Sequence, residues 1–414
     1  MQFYDIVIVG GGVAGGEAAV NLARYVGRKK RIALVSRDPV VYSKMTLSYG
    51  LKLGVKSIEP YVLYRPEELR GLGVDFLNDT VKLVDRSSRI VLTDGNRKVE
   101  YDTLILASGS KPRFPVGVEG LNLKGVYTFL SFEDMAGIDA VAERGRKALI
   151  VGAGMIGMLV ADALLRRGVK VYLIDILPYP GLTAVEEELG KVILKRALTL
   201  GAEFYGATTL ERLEGNGRVE RALLSNGKRL DVDFVVVSIG VEPNIPGGLE
   251  GLERDPSGGI KTDGQFKTTD PSIYAIGDCA STIDIITGKF TYRPLGILAS
   301  YAAKLIPQVL EGHHYNGFLA YQVEEAFGAL FMRAGLNGAE LRRLGVSFSK
   351  ALVEYRVPGV GITKSLVVVE KGTDRILGWQ SVGSTLASYK SKVFEEAIRN
   401  GWSLSMLEEK GFKV

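Results

Sequence analysis

Apolar positions along this chain fall into short runs rich in β-branched residues, each followed by glycine and then by a stretch of helical composition. Residues 5–9 (Asp-Ile-Val-Ile-Val) form the first run, and Gly10, Gly12 and Gly15 follow it with Gly-x-Gly-x-x-Gly spacing. The stretch through Tyr25 predicts a helix, and residues 31–35 predict a second strand. The pattern then recurs. Lys147–Val151 predicts a strand, Gly152, Gly154 and Gly157 repeat the spacing, and residues 158–167 predict a helix. Residues 169–174 supply the next strand, which ends at Asp175. Each glycine run thus lies between strand and helix, the context in which its spacing has physical meaning. The glycines allow a tight turn and let backbone approach a pyrophosphate at the helix N-terminus, where amide N–H groups are unpaired.

Further along, residues 184–200 have a helical pattern, and Asn226-Gly227 marks a hairpin. Residues 233–239 predict a buried parallel strand ending at Gly240, and residues 274–278 a strand ending on Asp278. From Gly317 onward no glycine fingerprint occurs; strand patterns at 365–370 and 375–380 precede a terminal helix over 385–399. The expected fold is α/β, with two Rossmann-like dinucleotide-binding domains and a C-terminal α+β domain.

Composition narrows the chemistry. The 414 residues carry 52 Lys and Arg against 47 Asp and Glu, a net charge of +5. With 46% apolar and 24% charged residues, the balance is that of a soluble globular protein and excludes a disordered chain or a collagen. Cys279 is the only cysteine, so an internal disulfide, a shuttling dithiol and a cysteine zinc cluster are all excluded. His313 and His314 are adjacent in a predicted loop, which argues against a histidine metal cage or a His-based triad. No segment supplies the ~20 apolar residues of a membrane span. Met1 leads almost directly into the first strand without room for a signal peptide, so the expected location is cytoplasmic. The small positive excess suits acidic partners and does not indicate nucleic acid.

Three more segments carry a resemblance. Residues 101–110 end in Ala107-Ser108-Gly109-Ser110, residues 233–244 contain Gly240 and Pro243-Asn244, and residues 269–280 end in Gly277-Asp278-Cys279-Ala280. With the two fingerprints, they make the chain resemble the two-dinucleotide-binding flavoproteins of the pyridine nucleotide-disulfide reductase-like superfamily. The resemblance implies a split FAD domain (residues 1–112 and 241–316), an inserted NAD(P)H domain (113–240) and an interface domain (317–414) that forms a homodimer. It implies FAD contacts from Gly10, Gly12, Gly15, Ser36, Arg37, Lys44, Val81, Ala107, Ser108, Gly109, Gly277, Pro294 and Leu295, with Asp278 accepting from the ribityl chain. It implies nicotinamide-nucleotide contacts from Gly152, Gly154, Gly157, Asp175 and Gly240.

Thiol-using members of that superfamily carry a redox cysteine shortly after the second strand. Aligned on Leu47 and Tyr49, the chain has Met45 there, and Cys279 in the Gly-Asp motif reads as a small packing residue. Reactions that need a thiolate at this point are disfavoured. The pattern Tyr42-Ser43-Lys44 with Leu47-Ser48 resembles instead the branch that reduces rubredoxin or ferredoxin, and related NAD(P)H oxidases. There Lys44 is the implied catalytic residue, a cation stabilising charge on reduced flavin. Tyr292-Arg293-Pro294-Leu295 resembles the helix start that approaches the flavin ring, with Pro294 opening the helix. Asp175, with no arginine after it, predicts NADH in preference to NADPH, because a carboxylate binds ribose hydroxyls and repels a 2′-phosphate.

The chain departs from the superfamily pattern at Ser36, where an acid usually binds the adenosine ribose, and at Leu159, where a glutamate is common. It also lacks a C-terminal His-Pro pair. The aromatics Tyr42, Tyr49, Phe327, Phe331 and Trp379 are candidates for lining the flavin, although spacing does not separate them from core residues. The expected activity is hydride transfer from NADH to FAD, then electron transfer to a small rubredoxin- or ferredoxin-type carrier or to O2, without a redox cysteine. The alternative, motivated by Ser36 and Leu159, is a flavin-binding subunit or nucleotide sensor with little turnover alone.

Overall fold

The computed structural model describes residues 2–357, 361–383 and 387–412. They form two compact units. One comprises residues up to Leu47, Ser57–Lys111 and Val241–Phe318; the other comprises Ser48–Lys56, Pro112–Gly240 and the residues from Leu319 on. Ser48–Lys56 thus packs with the second unit although it lies in the first half of the sequence, and the C-terminal region clusters with the inserted segment.

The first unit is built on a parallel sheet in the order Val74–Asn78, Ile32–Ser36, Gln2–Val9, Lys98–Leu106, Ile273–Ala275. Along Gln2–Val9, Ile6 and Ile8 join one core cluster and Val7 and Val9 the other. Burial on both faces is why this strand is a continuous apolar run and does not alternate with polar residues. Helices Val13–Val26 and Gly296–Leu310 cover the first face through Ala18, Leu22, Ala302 and Ile306. The expected strand at 274–278 is shorter. It ends at Ala275, and Gly277, at φ +71°, turns the chain so that Asp278 lies in a single 3-10 turn, Gly277–Cys279.

The second unit repeats the plan with parallel strands in the order Val126–Tyr127, Phe234–Val237, Lys147–Val151, Lys170–Ile174, Glu203–Tyr205. The hairpin at Asn226-Gly227 joins Arg221–Leu224 to Arg229–Asp231. The helix expected over 184–200 spans Glu187–Thr199, because the N–H groups of Ala184 and Val185 both bond to the Gly181 carbonyl in a preceding turn. The C-terminal part is a five-stranded antiparallel sheet in the order Tyr321–Ala326, Ala329–Gly335, Ile376–Gly383, Gly361–Glu370, Phe348–Val357. Helix Ala387–Arg399 lies against it, with Phe394 stacked on Trp379 at 5.2 Å; Thr385, where this helix was expected to begin, lies outside the described residues.

Of the candidate aromatics, Tyr42, Phe327, Phe331 and Trp379 are at most 2% exposed and belong to the core, whereas Tyr49 is 41% exposed. His313 and His314 lie in an exposed loop. Among the described residues no helix is long and apolar enough to cross a membrane.

Candidate functional site

The two glycine fingerprints are geometric copies. Gly10 and Gly152 have φ of +111° and +101°, and a Cβ on either would stand 2.2 or 2.5 Å from the carbonyl oxygen of Ala107 or Ser238. A left-handed backbone pressed against a neighbouring strand admits only glycine. Gly15 and Gly157 allow the helix to close on the turn, since a Cβ on each would lie 1.9 Å from the Gly10 or Gly152 carbonyl oxygen. The middle glycines differ in kind. Gly12 has nothing within 4 Å of its Cβ position, and Gly154 has only the Thr183 hydroxyl, at 3.7 Å. Neither following helix has a side-chain cap or an acid in its first turn. Each turn therefore presents open backbone at the positive end of a helix dipole, an arrangement that could hold an anionic group such as a pyrophosphate.

At the edge of the first turn, Ser36 is buried, and its hydroxyl donates to the Asp38 carbonyl at 2.8 Å. A Cβ on Gly11 would meet that hydroxyl at 2.1 Å, so Ser36 packs beneath the loop. Arg37 is exposed and pairs with Asp38 at 3.3 Å. Asn78 ties the segment down by donating to the Ser36 and Arg37 carbonyls at 3.0 and 2.9 Å. Val81 follows on a short antiparallel strand, Val81–Asp85, packed against the second core cluster. Asp38 and Asn78 were not singled out by sequence; the signal available was an acid displaced two residues from its usual place.

Ala107 is anchored by its N–H to the Val9 carbonyl at 2.8 Å. Beyond it, Ser108 and Asn244 bond reciprocally: the serine hydroxyl donates to the Asn244 carbonyl at 2.5 Å and the asparagine amide to the Ser108 carbonyl at 3.3 Å. The Asn244 N–H also donates to the Gly109 carbonyl at 2.9 Å. These bonds bring the two connecting segments together and bring Ser110 to Asp278, whose Oδ2 accepts the Ser110 hydroxyl at 3.0 Å. Burial holds the Asp278 carboxyl above the ordinary carboxylate range, against the opposing pull of Ser110 and of the Lys44 cation. Cys279 is fully buried, with its thiol donating to the carbonyls of Leu106 and Ile276 at 3.5 and 3.3 Å.

Lys44 is half-buried and precedes Met45, which is 47% exposed. The Met45 sulfur rests on Gly296, where a Cβ would come within 2.3 Å of it. Gly296 is the first residue of its helix, with Leu295 as an N-cap lacking any side-chain bond, so Pro294 lies just before the helix instead of opening it. The segment leading there is fixed by Asp284, which sequence reasoning missed. Its Oδ1 accepts the Ile286 and Thr287 N–H groups and the Thr287 hydroxyl at 2.9–3.1 Å, while Oδ2 pairs with Arg293. The Asp284 and Arg293 side chains are 1% and 10% exposed.

In the second unit, Asp175 takes the register position that Ser36 holds in the first: Val151 pairs with Ile174 as Val9 pairs with Val35. Its Oδ2 accepts the Ala153 N–H at 2.6 Å and its Oδ1 the Leu177 N–H at 2.8 Å. Each carboxylate oxygen has two lone-pair directions, so one on each remains for a further donor, such as a ribose hydroxyl. Ile176 beside it is 71% exposed, Gly240 is left-handed at φ +103° with open space around it, and Leu159 is half-buried. Among the described residues no cluster of His, Cys, Asp and Glu could hold a metal ion.

Two glycine turns of the same geometry, each on its own parallel sheet, are the architecture of a two-dinucleotide oxidoreductase. The chain matches the pyridine nucleotide-disulphide oxidoreductase family over residues 4–294 and belongs to that family. An NADH oxidase of Methanocaldococcus jannaschii is 30% identical over 406 residues, which cover 95% of this chain and 90% of that protein. A rubredoxin-NAD(+) reductase of Pseudomonas putida is 31% identical over 288 residues, covering 68% and 74% of the two chains. The solved structure of an NAD-dependent persulfide reductase from A. fulgidus is 26% identical, with a TM-score of 0.91 over 99% of this chain and 79% of that one. The protein is an NAD(P)H oxidoreductase with FAD and a pyridine nucleotide as its cofactors.

Proposed function

We propose that this protein oxidises NADH through FAD and passes the electrons on without a thiol, to a small iron–sulfur carrier such as a rubredoxin or ferredoxin, or to O2. The observation that carries this reading is the state of the only cysteine. Cys279 is 0% exposed and bonded to backbone carbonyls, and burial pushes its thiol up from its ordinary value. A redox cysteine must form an accessible thiolate. Met45, at the position where thiol-using relatives carry the cysteine, offers only a thioether.

Bound FAD supplies hydride acceptance and stepwise electron release, and the protein supplies position and field. Gly12 and the uncapped helix behind it seat the flavin nucleotide's pyrophosphate, and Asp278 accepts from its ribityl chain. The Lys44 cation and the positive end of helix Gly296–Leu310 favour negative charge on the reduced ring. Gly154 and Asp175 seat NADH, with the carboxylate selecting against a 2′-phosphate. The positive net charge of +5 favours encounter with an acidic carrier. The working form is a cytoplasmic homodimer, with residues 317–414 at the interface.

The test is anaerobic titration with NADH while following the flavin band, then admission of air. Bleaching with fast recolouring is expected of an oxidase; bleaching with slow recolouring is expected of a reductase with a protein acceptor. If the flavin stays oxidised with NADH and with NADPH, the proposal fails and a flavin-binding subunit or sensor takes its place. Cys279→Ser is expected to leave turnover unchanged, and its loss of turnover would restore a thiol mechanism.

A further inference from the structure

The middle glycines of the two fingerprints are not equivalent, because the Thr183 hydroxyl lies beside Gly154 and has no counterpart at Gly12. Thr183 is exposed, and among the described residues no group takes up its hydroxyl. It sits on the loop that follows Asp175, and this loop is pinned to the fingerprint by the Gly181 N–H, which donates to the Ala153 carbonyl at 2.8 Å.

The loop is held from its other side by the C-terminal region. Asn337, 2% exposed, donates its amide to the Thr183 carbonyl at 3.2 Å while its Oδ1 caps helix Gly338–Arg343 through the Glu340 N–H at 2.9 Å. Three residues after Thr183, Glu186 is 6% exposed; it accepts the Gly338 N–H, pairs with Lys350 at 3.3 Å, and donates its own N–H to Gln380 at 2.6 Å. A hydroxyl that has no partner among the described residues, on so constrained a loop and 3.7 Å from the Cβ position of Gly154, is a preorganised donor.

We infer that Thr183 donates a hydrogen bond to the pyrophosphate of the nicotinamide nucleotide, and that Asn337 is the positioning residue that holds it there. The C-terminal region thereby takes part in nucleotide binding. The inference rests on the reading of Gly152–Gly157 as the nicotinamide-nucleotide seat.

The test is calorimetric titration of the FAD-loaded full chain with ADP-ribose, which carries the pyrophosphate and cannot be turned over. Thr183→Val is expected to bind it about tenfold more weakly, the loss of one hydrogen bond to a charged oxygen. Thr183→Ser is expected to bind close to wild type, and both to keep full FAD content. Asn337→Ser keeps a helix cap but loses the amide donor, and weaker ADP-ribose binding at full FAD content is expected. Wild-type affinity in Thr183→Val, or no rescue by Thr183→Ser, would overturn the role of the hydroxyl, and wild-type affinity in Asn337→Ser that of the positioning residue. A wild-type protein that holds FAD but ignores ADP-ribose would instead overturn the nucleotide seat itself.

Discussion

The Ser110 hydroxyl donates to Oδ2 of Asp278 at 3.0 Å across a separation of 168 residues. It ties the return strand from the first fingerprint's sheet to the Gly-Asp turn, at a carboxyl that burial holds above the ordinary carboxylate range. Asp278→Ala is expected to purify with well under half the flavin of the wild type, because on the proposed reading the ribityl chain loses its acceptor. Asp278→Asn, which keeps an oxygen acceptor, is expected to fall between the two. The flavin-to-protein absorbance ratio checks this, and full flavin in Asp278→Ala would remove Asp278 from the site.

Asp284 compensates Arg293 in a buried pair and also closes the turn before it. Removing one partner of a buried ion pair is destabilising, by up to about 3–5 kcal/mol. Asp284→Ala is therefore expected to lower the thermal midpoint by several degrees and to loosen flavin binding, since Arg293 leads directly into Pro294 and Leu295. A midpoint within a degree of wild type would contradict the pairing.

Asp175 accepts one backbone N–H on each carboxylate oxygen, from Ala153 and Leu177, and in the proposed seat its remaining lone pairs meet the ribose hydroxyls. Asp175→Ala is expected to lower kcat/KM for NADH at least tenfold, each charge-assisted bond being worth about 1.5–3 kcal/mol. The ratio of NADPH to NADH efficiency is expected to rise, because repulsion of the 2′-phosphate disappears. Steady-state kinetics with both nucleotides decide it: an unchanged ratio would show that Asp175 does not discriminate.

Glu324, on strand Tyr321–Ala326, is a partly exposed acid that burial raises from 4.5 to about 7. Between those values the folded chain keeps a proton that the unfolded chain has lost. Stability therefore falls as pH rises from about 4.5 to about 7 and stays at the lower level above, by at most about 3 kcal/mol. Glu324→Gln is expected to abolish that dependence and to raise the thermal midpoint at pH 8 relative to wild type. Equal midpoints for the two proteins at pH 5 and pH 8 would refute the shift.

Much of the geometry of the two glycine turns was legible locally. A tight turn, its close backbone approach and the helix behind it are all set within six residues, so Gly10 to Gly15 and Gly152 to Gly157 carried their geometry in their spacing. Asp175 was visible for the same reason, as the residue that ends a strand in fixed register with the turn. Less legible were positions whose role depends on distant partners. Ser36 held the expected place in the chain, yet its hydroxyl turned beneath the loop to Asp38. Asp284 looked like one acid among many until Arg293 closed on it. The aromatics could not be sorted, because burial on a strand and exposure in a site leave the same short-range pattern.

By itself, then, the sequence determined the class of fold, the two glycine turns between strand and helix, and the lack of any dithiol. Those follow from residue identity, strand-to-helix periodicity and the count of one cysteine. Tertiary structure alone decided that Cys279 is sealed against two carbonyls, and that Ser48–Lys56 packs with the second unit. It also decided that Asn337 and Glu186 hold the loop carrying Thr183 over Gly154. Each of these depends on contacts between segments far apart in sequence, and burial and hydrogen-bond partners come into being only when such segments meet.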